Sequence, residues 1–160
     1  MSTTNAGTVR LAQALAAVGV ACTAVGTRPH FGPMPGAVVD TLGAGPGTVI
    51  GALASELETL GLRVRAVSQA EGYLETSWFD PTTGRSVGQE HRRTGQVYRM
   101  RAYADSVPPT RSELTLETVF RRWADPSSTG REDETITPPG HPGDSLTQRV
   151  LENLKERFPK

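Results

Sequence analysis

Two stripes of apolar residues at helical spacing stand at either end of a stretch, Arg63 to Trp123, in which apolar and polar residues alternate. Periods of 3.6 and 2 cannot be exchanged, so the chain is restricted to helices flanking a sheet. In the first stripe Ile50, Leu53, Leu57 and Leu60 recur at three- and four-residue steps, with Ser55, Glu56, Glu58 and Thr59 on the other side. Thr48 is the expected N-cap, and Gly61 suits the left-handed position that closes many helices, with Leu62 as its apolar companion. In the last stripe Leu146, Val150, Leu151, Leu154 and Phe158 share one side. Ser145 and Gln148 have the spacing of a capping box there, with Asp144 favouring the helix N-terminus.

Four strands are expected between the helices. Arg63–Ser68 is the first, and Ala70-Glu71-Gly72 supplies turn chemistry before the second, Tyr73–Phe79. Asp80-Pro81-Thr82-Thr83-Gly84 ends that strand. The third, Gln96–Ala104, sends Tyr98, Met100, Ala102 and Ala104 one way and Arg99, Arg101 and Tyr103 the other. The fourth, Glu113–Trp123, separates Leu114, Leu116, Thr118 and Phe120 from Glu113, Thr115 and Glu117. The short link Val107–Thr110 makes these last two antiparallel neighbours. The expected class is α+β, in the order αββββα, with both helices on one face of an antiparallel sheet.

Outside this pattern lie two irregular stretches. Thr23–Gly47 is rich in Gly, Pro and Ala and reads as a flexible tether, within which only Ala37–Leu42 could add an edge strand. Ala124–Gly143 reads as a long polar loop, and its Glu132-Asp133-Glu134 as a solvated charge run.

The start of the chain concerns destination more than fold. Arg10 precedes Leu11-Ala12-Gln13-Ala14-Leu15-Ala16-Ala17-Val18-Gly19-Val20-Ala21, and then comes the single cysteine, Cys22. A base, an apolar run and small residues are the order of a secretory signal peptide. The run ends by Gly26, short of the ~20 residues that span a bilayer. Gly19-Val20-Ala21-Cys22 resembles the lipobox of small bacterial envelope lipoproteins, which implies acylation of Cys22 after cleavage. That resemblance covers only this leader. It implies residues 1–21 as signal peptide, 22–47 as lipidation site and tether, and 48–160 as one α+β domain. It also places the domain at the cell envelope, on the periplasmic side, held to the bilayer by an acyl chain, with secreted or cytoplasmic locations as the alternatives. By elimination the expected partner is another envelope protein or an anionic surface. A lone cysteine excludes an internal disulfide framework.

Lys and Arg together match Asp and Glu at 17 each, so no global field favours nucleic acid. Residues 85–122 nevertheless carry eight bases, all arginine, against four acids. Arg63, Arg65, Arg99 and Arg101 alternate with inward residues and are the first candidate ligand site, suited to phosphate or carboxylate. The competing expectation pairs them across strands with Glu75, Glu113 and Glu117. A second candidate is a repeated phrase, Trp78-Phe79-Asp80-Pro81 and Trp123-Ala124-Asp125-Pro126, each followed by hydroxyl residues, Gly and Arg. It could present Trp78 and Trp123 to a sugar, although turn chemistry used twice explains it as well. His30, His91 and His141 have no partners at metal-ligand spacing, and no nucleophile elbow or phosphate loop is present. The expectation is a non-catalytic binding or scaffolding protein without cofactor or metal. The alternatives are a secreted carbohydrate-binding or hydrolytic protein and a polyanion-binding module.

Overall fold

The computed structural model describes residues 26–80, 83–87, 97–121 and 131–160. The leader, Cys22 and Trp123 lie outside the described residues. The architecture is α+β: an antiparallel sheet with two helices against one face. In chain order the elements are β1 (Val38–Leu42), α1 (Pro46–Thr59), β2 (Val64–Ser68), β3 (Tyr73–Thr76), β4 (Val97–Val107), β5 (Arg111–Arg121), β6 (Thr135–Ile136) and α2 (Pro142–Arg157).

The spatial order is β1-β5-β4-β3-β2, with β6 also on β5. Among the described residues six strands stand against the four expected with Ala37–Leu42 as an optional fifth. β1 arises inside the supposed tether because its prolines flank Val38–Leu42 and leave it free to pair. β6 arises in the polar loop and is only two residues long, too short to show a period. The described part of the expected tether, 26–47, thus has defined contacts. Arg28 reaches Asp105, the Met34 N–H reaches Glu117, and β1 pairs with β5.

One face of the sheet is the apolar core. Leu74, Ala102, Leu116 and Val38 form a register row across β3, β4, β5 and β1. Tyr98, Met100, Ala104, Leu114 and Phe120 lie on the same side. Val49, Ile50, Leu53 and Leu57 of α1, and Val150, Leu151 and Leu154 of α2, close over them. Burying such residues is the main favourable term in folding.

Both helices begin earlier than their capping patterns suggest. Gly45 is the N-cap of α1 and Pro46 occupies its first turn, where a missing N–H costs nothing. Thr48 therefore falls inside the helix. For α2 the N-cap is His141, whose Nδ1 accepts from the Gly143 N–H at 3.4 Å, while the Ser145 N–H is already bonded to the His141 carbonyl. The capping box at Ser145 is accordingly not the start of the helix. The end of α1 follows expectation. Gly61 has φ +79°, its N–H donates to Glu58 O, and the Leu62 N–H donates to Leu57 O. Those two bonds make a Schellman motif, with Leu62 buried beside it.

The second expected strand is shorter than its pattern, and Phe79 beyond it makes single bridges to Ser86 and Tyr98. Between β2 and β3 the chain turns at Gly72, with φ +62°. A Cβ there would collide with the Ala104 carbonyl oxygen of β4. Gly72→Ala is expected to destabilise the fold by more than about 1 kcal/mol. The check is a fall in the urea midpoint at unchanged m-value.

Candidate functional site

The opposite face of the sheet is polar and buried. Register places Glu75 of β3, Arg101 of β4 and Glu117 of β5 in one row. Cross-strand opposite charges at that separation attract, and here nearly all water is excluded. The side chain of Arg101 is only 2% exposed. Its Nε donates to Glu75 at 2.8 Å and its Nη1 to Glu117 at 3.0 Å. Glu134, just before β6, accepts from Nη1 at 2.8 Å and from Nη2 at 3.0 Å. A guanidinium is thus held by three carboxylates, one of them in the bidentate geometry that arginine favours.

More arginines surround this hub. Arg65 and Arg99 contact Glu75 at 2.9 and 3.5 Å, Arg121 contacts Glu134 at 3.1 Å, and Arg131 contacts Glu117 at 3.2 Å. Among the described residues the cluster holds five guanidiniums against three carboxylates, a surplus of two positive charges. Aromatic rings complete it. Phe31 lies under Arg131 and Arg101, at 4.2 and 5.5 Å from its centroid. Trp78 has Arg99 at 4.4 Å and Arg121 at 4.8 Å. Guanidinium groups over ring faces are attracted by the ring quadrupole.

These environments move the titrations. Burial disfavours the charged form of Arg101, but the hydrogen bonds it donates to Glu134, Glu75 and Glu117 outweigh it and raise the pKa. Arg99 shows the reverse. Burial, weakly offset by Glu75, lowers it to about 10. Burial pushes the Glu134 carboxyl up, yet its bond to Arg101 and the surrounding positive charge hold it below the ordinary value. Burial also raises Tyr103, whose hydroxyl has no hydrogen-bond partner. The buried Nε of Arg99 has no acceptor either. Each of these two atoms can donate a hydrogen bond.

The expected site residues are distributed unevenly. Arg65, Arg99 and Arg101 come together as anticipated, and Trp78 joins them. Arg101 and Arg99 are buried, however, and do not lie on the solvent side of the sheet. Arg63 is exposed and enters no ion pair among the described residues. The expected pairing with Glu75 and Glu117 forms, whereas Glu113 is exposed and stands opposite Asp105. Three members went unforeseen: Phe31, Arg131 and Glu134. Phe31 falls in the supposed tether, and Glu134 in the supposed charge run. The apolar Ile136 two residues after Glu134 is the one local hint that this run meets a sheet.

His141 is accounted for structurally. It caps α2, accepts or donates with the Tyr98 hydroxyl at 2.9 Å, and stacks on Tyr98 and Phe120. Among the described residues no group of three His, Cys, Asp or Glu side chains could hold a metal ion. The chemistry available on the polar face is hydrogen bonding and charge pairing. Comparison with protein-family models and with curated proteins finds no match to this chain.

Arg101→Met removes the hub and leaves three carboxylates buried. The expected cost is about 3–5 kcal/mol, by chemical denaturation. Adding Glu134→Gln should return part of that loss, because one stranded charge disappears. The sign with pH follows from the lowered Glu134 value. Its contribution is full above the unfolded carboxylate pKa of ~4.3 and is lost as pH falls through the lower folded value.

Proposed function

We propose that the chain is exported, anchored at the cell envelope through an acylated Cys22, and serves there as a non-catalytic binding protein. Its polar sheet face takes a carboxylate or phosphate group presented by an envelope partner. One observation carries the ligand class. Among the described residues the face has more guanidiniums than carboxylates, and the buried Arg99 Nε and Tyr103 hydroxyl are each left with a hydrogen to donate. A buried donor without an acceptor costs about 1–3 kcal/mol, so an anion supplying one is favoured. The leader residues before Cys22 support the location. Among the described residues no helix is long and apolar enough to cross a membrane.

Trp78 does not favour a sugar-binding role, since two guanidiniums already lie over its ring.

Two measurements test the two halves separately. Cys22→Ser is expected to release a folded chain from the membrane fraction; unchanged membrane association contradicts the anchor. Citrate or pyrophosphate should raise the melting temperature more than chloride does at equal ionic strength. Arg65→Gln with Arg99→Gln should abolish that difference. An identical response to all three salts contradicts an anion-binding face.

A further inference from the structure

On the helix side of the sheet, remote from the arginine face, lies an open cavity of about 410 Å³. It sits where the end of α1 meets the first turns of α2. Leu60, Leu62, Phe79, Pro142 and Leu146 give it an apolar lining, and Arg149 stands at its wall. Its volume falls in the range of small-molecule sites, which pair an apolar body with a few placed polar groups. Leu60, the C-cap of α1, remains 36% exposed here, so apolar surface is left for a ligand to cover.

The polar groups point to the head of that ligand. Arg149 is exposed and makes no ion pair with any described residue. Ser145, four residues earlier on the same face of α2, lines the cavity too, and its hydroxyl has no partner among the described residues. The one acid in the first turn of α2, Asp144, is held by the Gly140 N–H at 2.9 Å and the Gln148 amide at 3.4 Å. An unpaired guanidinium and a hydroxyl beside an apolar hollow match a carboxylate on a hydrocarbon chain.

We infer that this cavity binds a free medium-chain alkyl carboxylate, with the chain against Leu60, Leu62, Phe79 and Leu146 and the carboxylate on Arg149. The site is independent of the anion-binding face, because Phe79 belongs to the apolar core and not to the arginine cluster.

The test is calorimetric titration of the full chain with decanoate below its micelle concentration, beside decanol and decyltrimethylammonium. Saturable binding of one decanoate is expected, with each control at least about tenfold weaker. Arg149→Gln should bring decanoate down to the level of decanol. Leu60→Trp, at a partly exposed position, should block all three while circular dichroism shows the fold intact. Absence of saturable decanoate binding by the folded chain overturns the proposal. So does decanoate affinity that survives both substitutions, or equal affinity for decanol.

Discussion

The buried guanidinium of Arg101 is the contact on which the arrangement of the polar face depends. It joins β3 to β5 through Glu75 and Glu117, and it draws the segment before β6 onto the sheet through Glu134. Glu117 in turn accepts the Met34 N–H at 2.6 Å, which ties down the segment ahead of β1. Two stretches distant in sequence are thereby fastened to one row of side chains. Desolvating four charged groups is expensive, and such a cluster is weak evidence for stability by itself. Its clearer consequence concerns register. A one-residue slip of β4 would carry Arg101 into the apolar core and Ala102 into the carboxylates.

With one face closed by helices and the centre of the other by this network, the middle strands are covered on both sides, while Val39 and Arg65 on the edge strands stay exposed. The two coverings differ in character. The helix side is apolar and leaves a hollow near Leu60 where the helix ends diverge. The arginine side is unevenly neutralised toward Arg99, whose only carboxylate contact among the described residues is at 3.5 Å. Arg28 acts similarly at the far end. It pairs with Asp105 at 2.8 and 3.0 Å, where Asp105 and Glu113 would otherwise repel across β4 and β5.

Much of the fold was legible because its longest elements have clean periods. Tyr98 to Ala104 alternates throughout and Leu114 to Phe120 is broken only at Thr118-Val119, so both strands and most of their inward residues follow from spacing. Gly61 and Leu62 likewise announced the end of α1. What could not be read locally depends on partners far away in sequence. Spacing marks Ala37–Leu42 only as a possible edge strand, and Val38–Leu42 is one because β5 offers an edge at Ser112–Leu116. Ser145 and Gln148 have capping-box spacing, yet Pro142 after His141 begins the helix one turn sooner. For the site, alternation placed Arg99 and Arg101 on one face and matched them to Glu75 and Glu117. It could not show that this face is buried, because Phe31, Arg131 and Glu134, which complete it, come from irregular stretches.

The most direct test of the Arg101 hub is the pH titration of the Glu134 carboxyl carbon, followed by NMR in isotopically labelled protein. A carboxyl held by the Arg101 guanidinium should keep its charge below the ~4.3 of an unperturbed glutamate, with a depressed midpoint that moves upward in Arg101→Met. A Glu134 that titrates at or above ~4.3 in the native chain, and does not respond to loss of Arg101, would contradict the account.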